Sequence, residues 1–171
     1  KRHWFALLDR NTVTEKDLER VMHSTDEQTA FYGYHVFATA MENPEKSLLS
    51  EKELQTGMEV TAQQIAWGVP KRLASALQAA SCAAERRPDL LTERCTELVL
   101  NGLAQLLDET RITSEDTMKM ASEKGNIRSE AVCLAAKLDG KSSTEEGRET
   151  LERWRAVSCD PEEFAEIRTA R

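Results

Sequence analysis

Aromatic residues are scarce in this chain: Phe, Trp and Tyr together make up 5% of its 171 residues. A core of that composition has to be packed mainly by Leu and Ala, which favour helices over strands. Strand signals are missing as well. No stretch alternates apolar and polar residues over more than a few positions, Val and Ile are few, and no Asn-Gly or Asp-Gly turn joins two strand-like runs. These absences argue against a sheet.

Other absences narrow the chemistry. Histidine occurs three times, as His3, His23 and His35, with no HExxH spacing and no surrounding carboxylates, so no metal ligand set is read. His23 stands four residues after Glu19, the spacing of a surface pair on a helix. His35 lies among Tyr34, Val36 and Phe37 and reads as a part-buried core histidine. The four cysteines, Cys82, Cys95, Cys133 and Cys159, form no CxxC and are expected to be small buried thiols. Cys159 precedes an expected cap at Asp160, but the adjacent acid opposes thiolate formation. No GxxxxGK[ST], GxGxxG or GxSxG occurs, so neither a phosphate-cradling loop nor a serine elbow is present and no cofactor is expected.

No apolar run approaches the roughly 20 residues of a membrane span, and no signal-like segment opens the chain, which points to a cytoplasmic setting. The net charge of −7 argues against a general nucleic-acid binder, because that affinity comes from cations displacing counterions along the phosphate backbone. The chain opens at Lys1 and stops at Arg171 within a helix-like stretch, so it is expected to be one all-α domain, residues 1–171, of a longer protein.

Helix punctuation is what the sequence has in abundance. Thr14 through Asp17, Ser24 with Glu27, Ser50 with Glu53, Thr113 with Asp116, and Ser143 with Glu146 have the form of capping boxes. Val13 with Leu18 and Leu49 with Leu54 look like hydrophobic staples, and Asp160-Pro161 places a cap before a proline. Stops are expected at Asn43-Pro44, Gly68 to Pro70, Arg87-Pro88, Gly125 and Asp139-Gly140. Between them Ala30, Phe31, Tyr34, Phe37, Ala38 and Met41 fall on a helical period, as do Leu54, Met58, Ala62, Ile65 and Val69. Leu73 to Ala84 and Leu91 to Leu107 are expected at the centre of the core. The last third is more charged, with Ile127, Leu134, Leu138, Leu151, Trp154, Phe164 and Ile167 as anchors. The fold class is therefore all-α, with about ten short helices in antiparallel pairs.

Helix starts recur every 15 to 20 residues or so, which gives two-helix units of about 35 to 45. Lys124-Gly125-Asn126-Ile127-Arg128-Ser129-Glu130-Ala131 and Asp160-Pro161 through Ile167-Arg168-Thr169-Ala170 each join a polar turn to an Ile-Arg pair and a following Ala. This resembles the opening of the second helix in a HEAT repeat, of the HEAT/armadillo class. The resemblance implies a curved stack of helix pairs whose concave side holds a partner. An irregular helical bundle built from the same helices is the alternative architecture.

No catalytic, cofactor-binding or metal-binding residue is assigned. Acid pairs such as Asp108-Glu109 and Glu145-Glu146 sit at helix ends, where capping and solubility explain them. Candidate partner-binding residues are Trp67, Arg72, Arg148, Trp154 and Arg155, because Trp and Arg recur at interface hot spots. Trp67 falls on the opposite side of a regular helix from Met58, off the apolar stripe, and either packs on a second neighbour or faces a partner. Arg148 and Arg155 share a face with Glu145, Glu149 and Glu152 interleaved. Trp4, beside Phe5, Leu7 and Leu8, reads as core or as a junction to preceding chain. The expected function is a non-catalytic scaffold that binds a protein or another domain of its own polypeptide. A helical accessory or sensor part of a multidomain enzyme, and an all-α enzyme with a carboxylate-lined cleft, are the alternatives.

Overall fold

The computed structural model describes residues 15–160 and residue 162. The expected cap at Thr14, its staple partner Val13, the residues around Trp4, His3, Phe164 and the Ile167-Arg168 motif lie outside that range. Among the described residues the secondary structure is helical throughout, and it comprises α1 (Glu15–Met22), α2 (Glu27–Glu42), α3 (Glu51–Trp67), α4 (Leu73–Arg86), α5 (Glu93–Glu109), α6 (Met118–Lys137) and α7 (Glu145–Cys159). Three single 3₁₀ turns, Pro44–Lys46, Pro70–Arg72 and Pro88–Leu90, fill the connections that begin with proline. Proline lacks the N–H needed to continue a helix, so each preceding helix closes and a tight turn follows.

The caps explain most of the boundaries. Ser50 and Glu53 form the expected reciprocal capping box at the start of α3. Three others are displaced. The side chain of Asp26, not Ser24, caps α2 by accepting from the Thr29 N–H at 3.1 Å, because Asp26 is the residue placed three before a free helical N–H. Thr113 and Asp116 bond to each other in a turn, and Thr117 caps α6 by accepting from the Met120 N–H at 3.2 Å. At α7 the cap is Thr144, accepting from the Gly147 N–H at 3.0 Å, and both Thr144 and Ser143 donate their hydroxyls to the Glu97 carboxylate, at 3.0 and 3.2 Å. Asp160 is the C-cap of α7.

Gly125 does not stop a helix. It is buried inside the continuous 20-residue α6, where packing outweighs the roughly 1 kcal/mol that a glycine costs in a helix interior. The described residues thus hold fewer and longer α-helices than the ten or so expected, and the Lys124–Ala131 motif lies within a helix instead of at a turn.

Packing follows a regular order. Each helix from α1 to α5 packs along the next but one, so that α1, α3, α5 and α7 form one layer and α2, α4 and α6 the other. Cross-links fix the directions. Gln78 donates to Glu130 at 3.2 Å and Lys137 to Glu85 at 3.2 Å; both pairs advance by seven residues together, so α4 and α6 run parallel. Between layers the pairing is antiparallel: Arg128 reaches Leu107, while Lys124 reaches Arg111. Consequently the ends of α1, α3, α5 and α7 meet the starts of α2, α4 and α6 at one end of the molecule.

The core runs continuously from Leu18 to Val157. Helix α4 supplies Ala76, Ala79, Ala80, Ala83 and Ala84 to it, and these small side chains let α2, α3 and α6 approach on three sides, as the alanine-rich stretch implied. Helix α5 is centred the same way by Val99, Leu100, Leu103, Leu106 and Leu107. Gly102 permits the closest helix contact, because a Cβ there would stand 2.4 Å from the Ile65 carbonyl oxygen. The expected stripes are corrected at three positions: Phe31 and Val69 are exposed and Ala38 is half-buried, while Gly33 and Ala40 take up the buried face of α2.

Candidate protein-interaction surface

The end of the molecule where α1, α3, α5 and α7 finish and α2, α4 and α6 begin carries most of the large exposed apolar side chains. Large exposed hydrophobic side chains among the described residues are Phe31, Leu48, Trp67, Val69, Met118 and Met120. All but Leu48 belong to the first two turns of α2, the first turn of α6, the last residue of α3 or the loop after it. Trp67 is 69% exposed and Met118 91%. Isolated apolar side chains on a surface are ordinary, but five collected at one end are a feature of binding surfaces.

Local structure holds this end in place. The Gln64 side-chain amide donates to the Val69 carbonyl at 2.7 Å, folding the chain back directly after Trp67. That amide lies over Gly68, where a Cβ would meet it within 2.3 Å, so a larger residue there would displace the Gln64 side chain from its bond to Val69. Arg72 Nη2 donates to the Ser24 carbonyl at 2.6 Å, and Lys71 pairs with Glu27 at 2.5 Å. These two contacts fasten the α3–α4 connection to the α1–α2 connection. Phe31, Tyr34, Lys71, Arg72 and Ser75 line a cleft of about 260 Å³ there. Burial raises the Tyr34 phenol well above its ordinary value, with the Arg72 guanidinium opposing the shift. On the same helix His35 is exposed, correcting the expected core histidine, and stacks on Phe31 with ring centroids 6.5 Å apart and planes within 5°. His23 is exposed just past the end of α1.

The sequence-derived candidates are therefore not one site. Trp67 stands out from the surface and packs on no second helix, although an off-stripe tryptophan in a layered helical array more commonly does. Arg72 is half-buried and committed to the Ser24 carbonyl. Arg148 and Arg155 are exposed on α7, and Arg155 pairs with Asp139 of the α6–α7 connection. Trp154 is corrected: it is 1% exposed, and its indole Nε1–H donates to the Leu103 carbonyl. It fills the space between α5, α6 and α7 and presents nothing to a partner. A groove of about 220 Å³ nearby, lined by Val132, Ala135, Leu151 and Arg155, reaches its edge.

Sequence reasoning missed Phe31, Met118 and Met120, and also a group of arginines, Arg111, Arg128 and Arg153, that the fold brings to one cleft. For the arginines no local signal was available, because they come from three separate segments.

The cysteines divide. Cys95 is buried and Cys82 half-buried, but Cys133 and Cys159 are exposed, correcting the expectation of four buried thiols. Among the described residues no group of His, Cys, Asp or Glu is placed to hold a metal ion, and no helix is long and apolar enough to cross a membrane. No family model matches this chain, and no curated protein or solved structure is detectably similar to it.

Proposed function

We propose that this chain is a non-catalytic helical interaction module that holds a protein partner, or another part of its own polypeptide, at the end where α1, α3, α5 and α7 finish and α2, α4 and α6 begin. The observation that carries the reading is the collection of Phe31, Trp67, Val69, Met118 and Met120 at that end, on a backbone pinned by Gln64, Arg72 and Lys71. A pinned backbone presents its anchors without a large ordering cost on binding. The two-layer order of parallel helices supports assigning the chain to the stacked-hairpin architectures of the HEAT/armadillo kind, in which repeated units expose a continuous surface. Four free cysteines fit a reducing, cytoplasmic setting.

The test is site-specific photocrosslinking in the full-length protein. A benzophenone side chain placed at Trp67 or at Met118 is expected to give one common adduct, and the same group at Glu45, at the opposite end, none. Trp67→Ala should weaken the adduct formed from Met118 without changing the unfolding midpoint. Equal adducts from both ends, or none from either, would overturn the reading.

A further inference from the structure

The cleft of about 260 Å³ between the first two turns of α2 and the start of α4 is lined by more hydrogen-bond donors than the fold uses. Tyr34 forms part of its wall and is 2% exposed. Its hydroxyl has no hydrogen-bond partner among the described residues, and it is not sealed in the core as the Ser81 hydroxyl is, so it opens onto the cleft. Burial keeps the phenol protonated, and a protonated phenol offers a donor.

The charges point the same way. Arg72 is half-buried, and its guanidinium uses one donor, Nη2, on the neutral Ser24 carbonyl. That bond fixes its orientation, so little side-chain entropy remains to be lost when a ligand arrives. Across the rim Lys71 and Glu27 neutralise each other at 2.5 Å, and the carboxylate of Asp26 caps α2. The Arg72 charge is thus left without a carboxylate counter-ion among the described residues. Helix α4 begins at this point with no side-chain cap and no acid in its first turn, and its dipole adds positive potential there. Ser75, in that first turn, brings a second hydroxyl to the lining. Apolar surface borders the opening: Phe31 forms one side of it, and Trp67 and Val69 are exposed on the chain just before Pro70.

We infer that this cleft takes an aspartate or glutamate side chain, flanked by apolar residues, from the protein partner, with Arg72 as its counter-ion and the Tyr34 hydroxyl as its donor. The inference rests on the reading of the chain as an interaction module and adds the chemistry of what is bound. One uncompensated cation matches a carboxylate monoanion. A phosphoryl group, with about two negative charges at neutral pH, would stand unbalanced beside Glu27. Guanidinium–carboxylate bonds are among the stronger charge-assisted contacts, and the neighbouring Phe31 and Trp67 give the flanking apolar residues a surface to cover.

The test is an NMR titration of the whole chain with the peptide acetyl-Leu-Glu-Leu-amide, followed at the backbone amides of Tyr34 and Ser75. Saturable shifts are expected. Tyr34→Phe removes a hydroxyl that holds nothing in the free protein, so it should leave the thermal midpoint unchanged yet weaken binding about tenfold. Glu27→Gln removes the competing carboxylate and releases Lys71, and should tighten binding about threefold. R148Q/R155Q, on exposed arginines of α7, should leave it unchanged. Absence of saturable shifts, equal binding of acetyl-Leu-Gln-Leu-amide, or undiminished binding by the Tyr34→Phe variant would overturn the inference, as would shifts at the same amides from inorganic phosphate but not from the peptide. Crosslinks from Trp67 without peptide binding would remove the carboxylate assignment alone; peptide binding without such crosslinks would uphold the cleft chemistry and remove the partner reading.

Discussion

The indole of Trp154 on α7 donates its Nε1–H to the Leu103 carbonyl of α5 at 2.9 Å, while its ring face lies 5.4 Å from the Arg128 guanidinium of α6. One side chain thus joins the last three described helices. Trp154→Phe keeps an aromatic ring but loses the donor and part of the buried indole volume, and should cost about 1–3 kcal/mol. Trp154→Ala should cost about 3–5 kcal/mol, read from urea unfolding. Trp67→Ala, on the exposed surface, should stay within about 0.5 kcal/mol. If the two tryptophans proved equally costly, the division between core and surface drawn here would be wrong.

Gly102 should not tolerate a methyl group. Alanine is a better helix former by about 1 kcal/mol, but its Cβ would meet the Ile65 carbonyl oxygen at 2.4 Å and Ile65 Cγ2 at 2.6 Å. Backbone cannot move aside as a side-chain tip can. Overpacking of this kind costs about 1–3 kcal/mol, so Gly102→Ala should lower the urea midpoint. An unchanged or higher midpoint would mean that α3 and α5 are not in such close contact.

Ser81, by contrast, invites replacement. Its hydroxyl oxygen is buried in α4 and, among the described residues, is the one buried side-chain polar atom without a hydrogen-bond partner. Removing such a group recovers part of its desolvation cost, and alanine improves helix propensity. Ser81→Ala should raise stability by about 0.5–2 kcal/mol and lift the thermal midpoint; a clear drop would reveal a partner for the hydroxyl.

Acid should loosen the α5–α6 connection. A hydrogen bond from Lys124, and after it one from the Thr113 N–H, holds the Asp116 carboxyl below its ordinary value of 3.8. A group depressed in the folded state contributes stability above its unfolded value, and that contribution is lost as pH falls through the folded value. Stability should therefore decline below about pH 4, and Asp116→Asn should flatten that part of the profile in thermal melts between pH 5 and pH 3.

Thiol reactivity should follow exposure. Cys133 and Cys159 are exposed and should be alkylated quickly at pH 8. Burial, and then the neighbouring Glu42 carboxylate, push the Cys82 thiol up to about 11, leaving about one part in a thousand as thiolate at that pH. Cys95 is buried with its thiol also raised, chiefly by desolvation. Peptide mass mapping should show Cys82 lagging and Cys95 reacting only with unfolding; early modification of Cys95 would contradict its burial.

Much of the local structure could be read from the chain alone. The Ser50–Glu53 box, the stops at Asn43, Gly68 and Arg87, and the buried stripe of Leu54, Met58, Ala62 and Ile65 all depend on residues within a turn or two of one another. Where reading failed, two local choices were close in energy. Ser24 and Asp26 can each cap a helix, as can Ser143 and Thr144, and a difference of one or two positions between equivalent capping residues is not decided by local spacing; the Glu97 carboxylate from α5 accepts from both Ser143 and Thr144.

The sequence by itself determined that the chain is helical, where most helices stop, and which faces are apolar, because caps, prolines and helical periodicity act over a few residues. Only the tertiary structure decided that Trp154 is core and Trp67 is not. It alone brought Arg111, Arg128 and Arg153 to one cleft and gathered Phe31, Trp67 and Met118 at one end. Those outcomes depend on which helices lie side by side, and that order is set by the summed packing of distant segments, which no local spacing encodes.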